Sequence, residues 1–222
     1  MPEIIYEDTD IIVCRKPAGV ATQTKRIGQQ DMESLLRNYR AKRKEEPYIG
    51  VVHRLDQPVE GIMVFAKNSK AASKLSGQVA ARTIGKHYYA VIWTDRANVE
   101  DTGILEDYMV TDKKTNVSSI VPEGTAGAKR AELAYQVIAR YDDRAVVDIE
   151  LYTGRQHQIR LQFSSRGCPL VGDAKYGRKE DGYKGIALCS YGLEFVHPST
   201  GKEMHWEIGW NAAAFVDSKT EE

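Results

Sequence analysis

The sequence predicts an α+β fold dominated by β-sheet, formed by a single domain over residues 1–222. Two observations support this prediction. Short runs rich in β-branched and aromatic residues recur along the chain between turn-forming residues, which is typical of strands. Few stretches have helical periodicity, and they occur among the strand-like runs in mixed order. Such an order favours an α+β fold over a regular alternation of strands and helices.

The predicted elements follow from composition and capping residues. Strands are predicted at residues 3–6, 11–15, 49–52, 62–66, 86–93, 130–140, 144–152, 192–196 and 203–209. One helix is predicted over 31–46, with Asp31 as its N-cap, and another after Asn68 or Ser69. Residues 95–127 combine weak strand patterns with many turn-formers, so we expect a mobile hairpin or an insertion there.

Composition limits the class of protein. The chain is 42% hydrophobic and 28% charged, which is typical of a globular protein and argues against disorder. No apolar run is long enough to cross a bilayer, and the acidic N-terminus lacks a signal peptide. Three widely spaced cysteines fit neither a zinc site nor a disulfide scaffold. We therefore expect a cytoplasmic protein with free thiols.

The charges are distributed unevenly along a chain whose formal net charge is zero. Residues 1–90 carry 15 basic and 10 acidic side chains, and residues 91–222 carry 16 and 21. A basic half can bind a phosphate backbone, but it can equally be a solvated surface. The same alternatives apply to the predicted outer side of the first helix, which carries Arg37, Arg40, Lys42, Arg43 and Lys44.

The first candidate for chemistry is the sequence His53-Arg54-Leu55-Asp56. It lies between two predicted buried strands, so its carboxylate would be presented on a loop between fixed elements. A kinase catalytic loop is excluded, because that motif reads His-Arg-Asp and accompanies a Gly-rich loop and Asp-Phe-Gly. In isolation, four such residues are also compatible with a surface ion-pair loop.

A second polar cluster covers residues 153–178. Its apolar residues alternate as in a strand, but Thr153 and Gln156 fit a capping box, which predicts a helix from the intervening Gly154. On that helix Arg160 would lie in an early turn and could pair with a carboxylate from elsewhere in the chain. The alternative is an ordinary amphipathic helix with a structural ion pair.

A third cluster, Lys86-His87-Tyr88-Tyr89-Ala90, lies in a predicted strand. Alternation places Lys86 and Tyr88 on one side and the intervening His87 on the other. A tyrosine that faces a cleft offers a ring for stacking and a hydroxyl for proton transfer. Two adjacent tyrosines in a strand are otherwise one core residue and one rim residue.

Taken together, the three clusters resemble the RluA-like family of pseudouridine synthases. The matching motifs are HRLD…G…AK (53–67), KxYxA (86–90) and GRxHQIR…GxPLVGDxxYG (154–177). The hairpin-like segments 4–20 and 193–201 are also similar to that family's first and last hairpins. The resemblance covers nearly the whole chain, with 95–127 the least matched part.

The chain departs from the family pattern at two places. Val59 and Glu60 stand before Gly61 where the family usually has Thr-Ser, and Cys189-Ser190 stand where it commonly has His-Ala. Both departures could alter the loop or the fit of the substrate. The S4 RNA-binding domain of many relatives is not expected, because the sequence begins with the catalytic hairpin.

The resemblance implies a pseudouridine synthase fold, with a mixed, mostly antiparallel sheet, flanking helices and a central active-site cleft. It also implies isomerisation of uridine in ribosomal or transfer RNA, without a metal or any other cofactor. Asp56 would be the catalytic carboxylate, Arg160 would pair with Asp56, and Tyr88 would stack on the uracil. We expect no membrane partner and a monomer.

The implied reaction also allows a prediction of which residues contact the RNA. A target base must be flipped out of its stack, and Arg54 is the candidate to fill the gap. The residues predicted to contact RNA are Arg54, Lys16, Lys25, Arg26, Arg40, Arg43, His53, Lys86, Arg155 and His157.

Two alternatives remain open from the sequence. One is a non-catalytic RNA-binding protein on the same fold, which the presence of Asp56, Tyr88 and Arg160 disfavours. The other is a glycoside-cleaving hydrolase, which would need a second carboxylate, and Glu60 is the available one.

Overall fold

The computed structural model describes residues 2–26, 28–178 and 182–216. Its strands are β1 (Glu3–Glu7), β2 (Ile11–Lys16), β3 (Gly50–Val51), β4 (Glu60–Ala66), β5 (Gly85–Trp93), β6 (Thr102–Asp112), β7 (Val117–Val121), β8 (Lys129–Arg140), β9 (Arg144–Leu151), β10 (Leu188–Val196) and β11 (Glu203–Glu207). Its helices are α1 (Met32–Lys42), α2 (Ser69–Ala81), α3 (Gln158–Ser164) and α4 (Ala213–Val216). The predicted α+β class is confirmed, with many strands and few helices.

Contacts divide the chain into two compact units. The first comprises Met1–Lys86 and Ser190–Ile208, and the second comprises His87–Cys189 and Gly209–Glu222. The prediction of one domain over the whole chain stays a prediction.

The first unit is built on strands in the order β1-β2-β4-β10, with β3 beside β4 and β11 beside β10. The β1–β2, β2–β4, β3–β4 and β10–β11 ladders are antiparallel. Helix α2 packs on β4, where Ala71 and Leu75 join Ile62 and Val64 in a buried core. Asn68 caps α2 as predicted, because its side chain accepts the backbone N–H of Ala71.

Helix α1 begins where the sequence predicts. The carboxylate of Asp31 accepts the N–H of Ser34, and the Ser34 hydroxyl accepts the N–H of Asp31, which forms a capping box. The helix ends at Lys42 rather than at residue 46, with turns in between. The predicted strand over 49–52 is reduced to two residues, Gly50 and Val51.

The second unit has the strand order β5-β9-β8-β6-β7, and the ladders between these neighbours are antiparallel. The 95–127 region forms the β6–β7 hairpin, and β6 pairs with β8 along eight residue pairs. The predicted hairpin is therefore confirmed, whereas its predicted mobility stays a prediction. Helix α3 packs on this sheet through the edge contact between the rings of Phe163 and Tyr135. No helix in the described ranges is long and apolar enough to cross a membrane.

Candidate active site

The loop between β3 and β4 carries Asp56 and is fixed at several points. The hydroxyl of Thr22 donates to the carbonyl of Leu55 at 3.0 Å and accepts its N–H at 3.1 Å, so it holds both polar backbone groups of that buried residue. The N–H of Gly19 donates to the carbonyl of Gln57 at 2.9 Å. Asp56 itself is half-buried. The carboxylate is therefore carried by a loop whose backbone is anchored on both sides of it.

Lys16 is buried beneath this loop. Its ammonium donates to the carbonyls of Pro17, Val20 and Gln57 at 3.1, 2.6 and 3.1 Å. Burial lowers the pKa of Lys16 to about 8, and the negative charge of Asp56 only partly opposes that effect. The side chain is 0% exposed, so the prediction that Lys16 contacts RNA phosphates is wrong. Lys16 instead binds these three backbone carbonyls at and beside the loop that carries Asp56.

His53 joins the start of this loop to strand β4. Its Nε2 accepts the backbone N–H of Val64 at 3.1 Å, which requires that nitrogen to be unprotonated. Desolvation of the ring, assisted by the charge of Lys86, lowers the pKa of His53 to about 4. A neutral ring bound to strand β4 is not a phosphate contact, so we do not retain that role for His53. Arg54, by contrast, is exposed, and Lys86 is half-buried.

The possible second carboxylate, Glu60, has an internal partner. Its Oε2 accepts a bond from Nη2 of Arg15 at 2.7 Å, and both side chains are partly exposed. This ion pair joins the first residue of β4 to strand β2. The carboxylate of Glu60 is therefore paired with the guanidinium of Arg15, next to the loop that carries Asp56.

The basic side chains of helix α1 do not all lie on its outer face. Arg40 is 6% exposed, and its Nη1 donates to the carbonyls of Tyr48 and Lys67 at 2.5 and 2.8 Å. Its predicted outer position, and with it a phosphate contact, is wrong. Arg43 is exposed and pairs with Glu45 at 2.9 Å.

The loop before α1 carries two of the predicted RNA-contacting cations. Lys25 and Arg26 are both exposed. They, with Arg43 and Arg54, keep the surface position that an RNA contact requires.

In the second unit, helix α3 begins later than the capping box predicted. It begins at Gln158, after His157, which has a φ of 57° and makes no side-chain cap. The hydroxyl of Thr153 is used elsewhere: it accepts the N–H of Glu132 and donates to Oε1 of Gln158, each at 2.8 Å. The predicted start at Gly154 is therefore wrong, because tertiary bonds take the capping group.

Arg160, the third residue of α3, is paired with Asp173. Its Nε donates to Oδ2 at 2.8 Å and its Nη2 to Oδ1 at 2.6 Å, in a bidentate arrangement. Burial alone would raise the pKa of Asp173, but the bonds and charge of Arg160 hold that pKa below its ordinary value. Arg160 thus pairs with a carboxylate of its own cluster, Asp173. Its predicted pairing with Asp56 stays a prediction.

Two further predicted contacts lie around α3. His157 is buried, and its Nδ1 lies 2.8 Å from the hydroxyl of Tyr176, so its predicted RNA contact is not supported by its position. Arg155 is half-buried and donates from Nε to the carbonyl of Arg130 at 2.8 Å. No role was predicted for Tyr176, although it lies in the polar cluster over residues 153–178.

Tyr88 lies in β5, opposite Ile149 of β9, and is 6% exposed. The next residue, Tyr89, stacks on Trp210 with ring centroids 6.4 Å apart. The alternation predicted for this strand is thus visible, with one tyrosine buried and its neighbour half-buried. Joint action of Asp56, Tyr88 and Arg160 in a central cleft stays a prediction, because the first residue belongs to one unit and the others to the second.

Among the described residues, Asp8, Asp10 and His197 form a group with a metal-ligand composition. Polar atoms of Asp8 and His197 already make hydrogen bonds within the chain. Nε2 of His197 bonds Oδ2 of Asp8 at 2.8 Å, and its Nδ1 accepts the N–H groups of Ser199 and Thr200. The arrangement is that of a hydrogen-bonded turn, and we assign no ion to it.

Comparisons with known proteins agree on one family. The family profile described as RNA pseudouridylate synthase matches residues 10–165. An uncharacterized RNA pseudouridine synthase of Bacillus subtilis, YlyB, is 33% identical over 212 residues, which cover 92% of this chain and 68% of that protein. Ribosomal large subunit pseudouridine synthase D of Pseudomonas aeruginosa is 32% identical, with coverages of 92% and 67%. The corresponding synthase C of Vibrio vulnificus is 31% identical, with coverages of 90% and 63%. This chain therefore spans about two thirds of the length of these relatives.

Solved structures show the same fold. The structure of human RNA Pseudouridylate Synthase Domain Containing 4 matches with a TM-score of 0.78 at 20% identity, and covers 96% of this chain and 90% of its own. Human RNA Pseudouridylate Synthase Domain Containing 1 matches with a TM-score of 0.76 at 23% identity, with coverages of 98% and 86%.

Proposed function

Because this chain belongs to the RNA pseudouridylate synthase family, we propose that it isomerises specific uridines of structured RNA to pseudouridine. The observation that carries the proposal is the anchored loop around Asp56. Thr22, Gly19 and the buried Lys16 fix its backbone, and such preorganisation is what a catalytic carboxylate needs. The preferred substrate is ribosomal RNA, because two of the relatives are named for the large ribosomal subunit.

The chemistry conserves all atoms. The N1–C1′ bond of uridine breaks, the uracil turns, and C5 bonds to C1′ while the C5 proton is lost and N1 is protonated. No electron donor or acceptor enters, so the mechanism requires no redox cofactor. Asp56 supplies the carboxylate, which attacks the base, attacks the ribose carbon or removes a sugar proton.

Two residues of the second unit complete the proposed catalytic set. Tyr88 would stack on the displaced uracil and handle the C5 proton, since a phenol can do both. Arg160 would favour the anionic form of Asp56, because a nearby guanidinium stabilises a carboxylate. Both assignments rest on the motif positions of these residues in the family.

RNA would be held by exposed cations of the first unit. A uridine inside a stacked helix must be flipped out, and the exposed Arg54, two residues before Asp56, would fill the gap. Lys25, Arg26 and Arg43 would contact phosphates. We also propose that the protein acts as a monomer in the cytoplasm.

The experiment uses unmodified ribosomal and transfer RNA transcripts labelled with tritium at uridine C5. The expected result is tritium release from ribosomal RNA, with pseudouridine found in the nuclease digest. Release from transfer RNA alone would overturn the ribosomal assignment. Free uracil in the medium would indicate a hydrolase, and RNA binding without tritium release would indicate a binding protein; either outcome overturns the proposed reaction.

A further inference from the structure

The side chain of Arg160 is held along one edge by a buried carboxylate. The carboxylate of Asp173 accepts hydrogen bonds from Nε and Nη2 of Arg160. The side chain of Asp173 is 0% exposed and that of Arg160 is 6% exposed. Oδ1 of Asp173 also accepts the N–H groups of Lys175 and Tyr176, at 2.9 and 3.1 Å. The carboxylate therefore cannot rotate without losing several bonds, and it sets the plane of the guanidinium.

The same guanidinium is held on one face by an aromatic ring. Cζ of Arg160 lies 5.3 Å from the ring centroid of Tyr176. Tyr176 is fixed at its backbone and at its side chain: its backbone carbonyl accepts the hydroxyl of Ser164 at 2.6 Å, and its phenolic oxygen accepts the N–H of Ser118 at 2.8 Å. Strand β7, which contains Ser118, thus supports the ring that lies against Arg160.

The loop that carries Asp173 and Tyr176 is closed by glycines that admit no side chain. Gly172 has a φ of 73°, and a Cβ there would lie 1.8 Å from the carbonyl oxygen of Gly185. A Cβ on Gly177 would lie 2.4 Å from the carbonyl oxygen of Asp173. The N–H of Gly177 donates to that oxygen at 2.8 Å. The loop is therefore closely packed at both glycines, and in it both Asp173 and Tyr176 contact Arg160.

From this arrangement we propose that Asp173 and Tyr176 are positioning residues for Arg160, which fix the guanidinium for its work in uridine isomerisation. The inference rests on the proposed function. A long, flexible arginine must otherwise be immobilised at each turnover, and a misplacement of about 1 Å in a reacting site lowers the rate by about 10²-fold. The sequence Gly-Asp-x-x-Tyr-Gly at 172–177 thereby acquires a physical role that does not require contact with the substrate.

The test is a double-mutant cycle. Asp173→Asn and Tyr176→Phe are each made in the wild type and in an Arg160→Lys background, and single-turnover rates on labelled ribosomal RNA are measured with excess enzyme. In the wild type, Asp173→Asn should lower the rate about 10- to 100-fold without changing the RNA dissociation constant. In the Arg160→Lys background the same change should lower the rate less than about threefold. Equal losses in both backgrounds would overturn the inference, because the residues would then act independently of Arg160.

One control and one milder test variant keep the result interpretable. Asp101→Asn removes a carboxylate from an exposed ion pair with Arg140 and should leave the rate unchanged. Because Asp173→Asn leaves a buried cation and can weaken folding, Tyr176→Phe, which removes one oxygen atom, provides the milder variant. An inactive wild type would refute the proposed function itself, whereas an active wild type without coupling refutes only the positioning role.

A second readout requires no turnover. The Nε–H of Arg160, identified as the ¹⁵N signal missing from Arg160→Lys, should be protected from solvent exchange in the wild type. We expect this protection to be lost in Asp173→Asn. A protected signal in that variant would contradict the role of Asp173.

Discussion

The ammonium of Lys16 donates to the carbonyl of Gln57, the residue that follows Asp56, at 3.1 Å. A fully buried cation thus holds the backbone of the loop that carries the proposed catalytic carboxylate. The carbonyls of Pro17 and Val20 accept from the same ammonium, so its removal leaves three partly buried acceptors without their charged donor.

Lys16→Met should therefore lower the free energy of unfolding by about 2–4 kcal/mol and reduce the rate of isomerisation. Methionine keeps most of the volume and removes the donor. Urea unfolding and tritium release would measure the two effects. Lys25→Met, which changes an exposed lysine, serves as the matched control and should have neither effect.

Gly61, in the register opposite Lys16, has a φ of 146°. A Cβ there would lie 2.4 Å from the carbonyl oxygen of Ser190 and 2.5 Å from its Cβ. Gly61→Ala should therefore lower the free energy of unfolding by about 3 kcal/mol or more. Gly77 lies on the exposed face of α2, and a Cβ added there would meet no neighbouring atom within 4 Å. Gly77→Ala should therefore raise the free energy of unfolding by about 0.5–1 kcal/mol. Similar values for the two variants in urea unfolding would contradict this reading of Gly61.

His53 should make stability depend on pH. Its pKa of about 4 in the folded protein lies below the ordinary value of 6.5, so the unfolded chain binds the proton more readily. The contribution is complete above pH 6.5 and is lost as the pH falls towards 4. It amounts to about 1–2 kcal/mol, after allowance for the partial exposure of the residue. Urea unfolding at pH 7 and 5 should show this loss, and His53→Gln should reduce it; an unchanged pH dependence would contradict the assignment.

Lys25 and Arg26 should contribute to RNA affinity through phosphate contacts. The double variant Lys25→Ala/Arg26→Ala should weaken binding at low salt. It should also reduce the slope of log K against log salt by about 0.7–0.9 for each contact that is lost. Filter binding between 50 and 200 mM salt would measure the slope. Lys202→Ala, at an exposed position with no proposed role, should leave the slope unchanged.

The sequence predicted the regular elements well where local signals decide them. Asp31 and Asn68 cap their helices as expected, because a capping side chain binds N–H groups within the next turn. The alternating pattern of β9 and the aromatic strand β5 were also recovered. These features depend on neighbours in sequence, which a single sequence displays.

Burial of charge was not predictable in the same way. Lys16 and Arg40 resemble their exposed basic neighbours in sequence, yet both are buried. Their acceptors, the carbonyls of Gln57 and Tyr48 among others, are backbone groups that any residue type offers. Thr153 is a similar case, because a distant strand takes the hydroxyl that would otherwise have capped a helix.

The central claim is that Asp56, and not a pair of carboxylates, carries out a uridine isomerisation. The most direct measurement compares tritium release from C5-labelled ribosomal RNA by the wild type, Asp56→Asn and Glu60→Gln, with free uracil assayed in the same samples. We predict release by the wild type and by Glu60→Gln, no release by Asp56→Asn, and no free uracil. Release by Asp56→Asn, or free uracil whose formation is abolished in Glu60→Gln, would contradict the claim.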